Sequence, residues 1–82
     1  MLATVASITS ANRIKRRAAQ FGVNASVLQT PSVLAKEGCG YSLRFDSAHK
    51  NYISASAAEL DIKIRAFFEE IGSGAEKKYQ KV

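Results

Sequence analysis

The sequence predicts an α+β fold, the ferredoxin-like βαββαβ plait, with a four-stranded antiparallel sheet and two helices on one face. Three observations carry this reading. Short apolar or alternating segments recur at residues 2–8, 23–29 and 41–45, as strands do. Patterns with spacings of three and four follow the first and the third of them, as in amphipathic helices. A chain of 82 residues has room for one domain, here residues 1–82. The order strand, helix, strand, strand, helix, strand most often closes into the plait.

Residues 2–8 (LATVASI) are apolar, partly β-branched and end at a polar cluster, which suits a buried strand. Thr9 and Ser10 are good N-cap types, and Ala11, Ile14, Ala18 and Phe21 then mark the inner face of a helix that Gly22 stops. Residues 23–29 alternate ahead of Pro31 and read as the second strand, with Thr30-Pro31 ending it. Residues 32–37 suit a single helical turn, and residues 41–45 (YSLRF) place Tyr41, Leu43 and Phe45 on one face of the third strand.

Residues 46–54 are polar and read as a loop. Ser56 with Glu59 fits a capping box, and Leu60, Ile64, Phe67, Phe68 and Ile71 continue as the apolar stripe of a second helix that ends at Gly72-Ser73-Gly74. Residues 76–82 supply a short charged edge strand, the fourth.

Composition removes whole classes of function. At this size folding hides only about 60% of the chain's surface, which leaves no room for a deep cleft with a full catalytic constellation. One Cys and one His build neither an intramolecular disulfide nor a four-ligand zinc site. No apolar run reaches the roughly 20 residues that cross a bilayer, and the basic cluster follows the apolar start, the reverse of a secretory signal. The expectation is a cytoplasmic protein with a reduced thiol, no membrane partner and no permanently bound cofactor or metal.

The net charge of +5 lies entirely in the first half. Residues 1–44 carry Arg13, Lys15, Arg16, Arg17, Lys36 and Arg44 against Glu37 alone, whereas the six bases and six acids of residues 45–82 cancel. The only cysteine, Cys39, lies in that basic half.

In a plait the first and third strands are central and antiparallel, so the end of one meets the start of the other. Gly38-Cys39-Gly40 thereby comes opposite Ser7, Thr9 and Ser10 at the start of the first helix. The unpaired N–H groups and partial positive charge of a helix N-terminus favour thiolate, and hydroxyls with Arg13 and Lys36 add to this. The two glycines leave room for a group on sulfur. A helical turn ending near Cys39 acts in the opposite sense, and a buried, inert cysteine is the competing reading.

The run Gln29-Thr30-Pro31, then Gly38-Cys39-Gly40-Tyr41-Ser42-Leu43-Arg44-Phe45, with Ser7 to Ala11 upstream and Gly22-Val23 after the first helix, resembles the small family of putative selenium/sulfur carrier-like proteins. The resemblance covers nearly the whole chain. It implies a protein that is not a stand-alone enzyme but a thiol-based carrier, holding sulfur or selenium transiently as a persulfide or selenosulfide on Cys39. Pro31, Gly38 and Gly40 form the setting of that cysteine, and the partners implied are donor and acceptor proteins. Family members commonly have arginine directly after the proline, where this chain has Ser32, so Lys36 substitutes or anion binding is weaker. With no second cysteine to resolve an adduct, release depends on a thiol or reductant from another molecule.

The alternative is a non-catalytic binding or regulatory plait with a structural Cys39 and a protein or RNA partner. RNA is the weaker option. The aromatic signature of RNA-recognition domains is met by Gly38, Gly40 and Tyr41 but not by Glu37, Cys39, Ser42 or Arg44, and the first strand has no aromatic. The basic face of the first helix is either solvated surface or a dock for an acidic protein. His49 reads as a surface residue. A homodimer, through Phe67 or Phe68 or through a sheet edge, stays open.

Overall fold

The protein's structure is a computed structural model that describes residues 1–34, 40–72 and 78–82. Its elements are β1 (Leu2–Val5), α1 (Ile8–Ala19), β2 (Ser26–Gln29), β3 (Tyr41–Arg44), a 3-10 turn (Ser47–His49), α2 (Lys50–Glu59), β4 (Ala66–Ile71) and β5 (Lys78–Lys81). The strands form one antiparallel sheet in the order β2-β3-β1-β4-β5. With β1 and β3 central and antiparallel the architecture is plait-like, but among the described residues it has five strands rather than the expected four.

The first helix begins earlier than its hydroxyl-rich start suggests. Ser7, in an extended conformation, is the N-cap, and its Oγ accepts from the Ser10 N–H at 3.2 Å. Residues 6–8 are therefore not strand, and Ile8 opens α1 with its side chain half exposed. Ala11, Ile14 and Ala18 are buried as their spacing requires. Phe21 instead lies on the surface against Tyr52, their ring centroids 5.9 Å apart. At the other end Gly22 takes φ +78°, the Val23 N–H reaches the Ala18 carbonyl at 3.1 Å, and the Gly22 N–H reaches that of Ala19 at 3.0 Å. These paired bonds around a left-handed residue close the helix as a Schellman motif.

The second helix departs most from expectation. It occupies Lys50–Glu59, beginning inside the segment read as a loop, and buries Ile53, Ser56 and Ala57 at spacings of three and four. Ser56 is no cap, since its hydroxyl donates to the Tyr52 carbonyl at 2.8 Å; Glu59 accepts from Arg17 at 2.5 Å. The same Schellman closure ends α2, the Ile62 N–H bonding the Ala57 carbonyl and the Asp61 N–H that of Ala58. The left-handed residue is Asp61, φ +56°, where sequence signals lead one to look for glycine. With its stop disguised, the helical pattern runs on in sequence through the apolar stripe.

That stripe is mostly strand. Ala66–Ile71 pairs with β1 through Leu2↔Phe68, Ala3↔Phe67 and Thr4↔Ala66, and takes β5 on its other edge. Packing beside a wholly buried central strand overrides the short helical periodicity, as Phe67 turns toward the helices and Phe68 to the opposite face. The expected fourth strand is thus the fifth, with β4 paired to it where a helix was expected. Two smaller corrections concern length: β2 starts at Ser26 rather than Val23, and β3 ends at Arg44.

Both helices cover one face of the sheet. There Ala3, Val5, Leu43 and Phe45 pack with Ala11, Ile14, Ala18, Ile53 and Ala57 in one core, joined by Phe67 edge-on to Phe45 at 6.3 Å. On the other face Leu2, Thr4, Ser42 and Ala66 are buried without a helix over them among the described residues.

Candidate functional site

The register of the central strands decides which residues meet. Val5, the last residue of β1, lies opposite Tyr41, the first of β3. Beyond Val5 the chain turns through Ala6 into Ser7, so the N-terminus of α1 stands at the sheet end where β3 begins. Gln29, the last residue of β2, pairs with Tyr41 from the other side. The Thr30 N–H then donates to the Gly40 carbonyl at 3.1 Å, and Pro31 follows directly. Ser7, Pro31 and Gly40 therefore gather at one end of the sheet, as the plait topology requires.

The N-terminus of α1 brings partial positive charge to this end. The first-turn N–H groups of Ile8 and Thr9 have no intrahelical acceptor, and the first turn of α1 contains no acidic residue to offset the helix dipole. Thr9 is exposed, while the Ser7 hydroxyl donates to the Ser10 hydroxyl at 3.1 Å, which ties both serines to the cap. Gly40 is exposed, and a Cβ built there would meet no atom within 4 Å. Among the described residues, space is therefore open beside the strand start.

Lys36, Gly38 and Cys39 lie outside the described residues, as does the later part of the turn expected after Pro31. Its beginning is present, with the Leu34 N–H donating to the Pro31 carbonyl at 2.8 Å. Arg13 is on α1 beyond the capped turn, where it lines a groove of about 320 Å³ with Arg16, Arg17, Gln20 and Leu60. Arg17 in that groove bonds Glu59 and Gln20, and the Glu59 hydrogen bond holds its guanidinium pKa above the ordinary value.

One pair at this end escapes sequence reading. The Thr30 and Ser42 hydroxyls are 2.8 Å apart and buried, on the sheet face opposite α1 and α2. In sequence Thr30 is only a strand terminator, and Ser42 only the wrong residue for an RNA signature. The missing signal is the β2–β3 register, which puts Leu28 opposite Ser42 and so brings Thr30 diagonal to it. Tyr41, the aromatic of that signature, packs against the helix-side core. His49 is half buried, edge-on to Tyr52. Among the described residues no three His, Cys, Asp or Glu side chains cluster as a metal site, and no helix is long and apolar enough to cross a membrane.

Neither a curated protein nor a solved structure matches the chain. A family model does: the one described as putative Se/S carrier protein-like covers residues 1–69, most of the sheet, both helices and the segment that contains Cys39, and the chain accordingly belongs to that family.

Proposed function

We propose that the protein carries sulfur or selenium on Cys39 between a donor and an acceptor protein. The reading is supported by family membership and by one geometric observation, the Val5–Tyr41 register, which sets the strand start after Gly40 beside the N-terminus of α1. A thiolate at that end of the sheet would be favoured by the helix dipole. The space around Gly40 would accommodate an enlarged sulfur.

The step is a thiol exchange without net oxidation. The Cys39 thiolate attacks the terminal sulfur of a donor persulfide, the donor's S–S bond breaks, and its thiolate leaves with the electron pair. Selenium arrives in the same way from a donor selenosulfide. An acceptor thiolate then attacks the carried atom and regenerates the Cys39 thiolate. Thr9, Ser10, Arg13 and Lys36 are the further residues proposed to favour the anion, with Pro31, Gly38 and Gly40 shaping the loop.

The test is intact-mass spectrometry after incubation with a cysteine desulfurase and cysteine, or with a selenocysteine lyase and selenocysteine. A one-atom adduct on the wild type, absent from Cys39→Ser, supports the carrier. Absence of any adduct, together with alkylation by iodoacetamide no faster than for an unperturbed thiol of pKa about 8.5, leaves a structural cysteine in a binding domain.

A further inference from the structure

We propose that β2 is a pairing edge for a second copy of this chain, joined antiparallel about a two-fold axis at Leu28. The sheet has two edges, β2 and β5, and they are protected differently. Lysines at residues 78 and 81 guard β5, the usual device against edge-to-edge association. By contrast β2 (SVLQ) carries no charge, proline or glycine, and lies within 18 consecutive residues, 18–35, that contain no charged side chain.

The backbone shows which groups are available. Because the Thr30 N–H bonds the Gly40 carbonyl, Thr30 belongs to a hydrogen-bonded pair with β3. By antiparallel alternation Leu28 and Ser26 do so too, and Val27 and Gln29 turn their N–H and C=O groups away from the sheet. A two-fold pairing of Val27 with the partner's Gln29 uses both residues on each copy. It sets Leu28 directly opposite its symmetry mate in a non-hydrogen-bonded pair, where side chains approach most closely. Pro31, which has no N–H, ends the pairing.

Charge selects the occupant. Two copies of a chain with net charge +5 repel one another, and a neutral edge is where they meet at least cost. An acidic partner finds no opposite charge along this edge, whereas Arg13 and Arg16 offer it on α1. A four-residue edge falls at the small end of protein interfaces, below about 1,200 Å², so the dimer exchanges with monomer and depends on concentration.

Sedimentation of the full chain over a dilution series, with reductant present and again in Cys39→Ser, reads this directly. The expectation is a monomer–dimer equilibrium that persists in Cys39→Ser and weakens at least about tenfold in Gln29→Pro, which removes only an outward donor. Leu28→Lys, which opposes like charges across the axis, gives the same loss should the proline variant not fold. In Leu28→Cys/Cys39→Ser mild oxidation yields a symmetric disulfide, whereas Ser26→Cys/Cys39→Ser, whose cysteines lie out of register, yields none. A monomer at all concentrations, or a dimer unaffected by both Gln29→Pro and Leu28→Lys, overturns the proposal.

Discussion

Arg44 and Glu70 form a two-pronged ion pair across the sheet, Nε to Oε1 at 2.9 Å and Nη2 to Oε2 at 3.1 Å, although β1 lies between their strands. Arg44 faces Leu2, which faces Phe68 in turn, so the pair passes over the N-terminal end of β1. It helps to explain how Leu2 is fully buried on a face that no helix covers among the described residues. The register sets the aliphatic stem of Arg44 beside Leu2, while its guanidinium head reaches Glu70.

Removing the charge and removing the cover are therefore expected to differ. Arg44→Met keeps most of the stem and costs at most about 1 kcal/mol, because the arginine is partly exposed and its ion pair is screened. Arg44→Ala also uncovers Leu2 and costs about 1–2 kcal/mol. Urea denaturation of the two variants checks this, and equal losses would mean that the cover is immaterial. The Glu70 hydrogen bond raises the Arg44 pKa above its ordinary value. A raised folded-state pKa stabilises below the unfolded value and is lost only as pH climbs past it, so this contribution stays flat through neutral pH and fades in strong alkali.

Among the described residues Ser7 supplies the side-chain cap of α1, the helix whose N-terminus stands at the end of the sheet where β3 begins. Ser7→Ala loses about 1 kcal/mol in thermal or urea unfolding, and Ser7→Asp restores it by accepting the same bond and countering the dipole. The aspartate should also slow alkylation of Cys39 if that thiolate feels the helix N-terminus. An unchanged rate would separate the cysteine from the cap.

Two glycines are expected to respond oppositely to alanine. At Gly22 the surroundings are open but φ is +78°, so Gly22→Ala costs about 1 kcal/mol through backbone strain alone. Gly40 has open space and no positive φ, so Gly40→Ala leaves the melting temperature unchanged or slightly raised. Loss of chalcogen loading in a Gly40→Ala protein of wild-type stability would locate the role of that glycine in access to sulfur.

Thr30 and Ser42 satisfy one another in the interior. Thr30→Val strands the Ser42 hydroxyl and costs about 1–3 kcal/mol, whereas adding Ser42→Ala recovers a large part of the loss. A double-mutant cycle in urea measures that coupling, and additive losses would show that the hydroxyls act independently.

Local chemistry made much of this protein legible in the sequence. Ala11, Ile14 and Ala18 announce the buried face of α1, Gly22 its end, and alternation in YSLRF the core-facing side of β3. These signals hold because each depends on neighbours along the chain. The second half departs from its sequence signals where a decision is not local. Asp61 takes the left-handed stop that glycine usually marks, and Phe67, Phe68 and Ile71 satisfy a helical spacing until β1 and β5 claim them as strand.

The functional end of the molecule divides in the same way. Residue types and order nominated Ser7, Pro31, Gly40 and Cys39, and the plait topology said which strand ends should meet. Only tertiary structure decided that Arg13 and Arg17 line a groove with Leu60, and that Thr30 and Ser42 pair inside the sheet. Periodicity and capping report energies set within a few residues, whereas register and strand count are set by which segments, far apart in sequence, bury the most surface together.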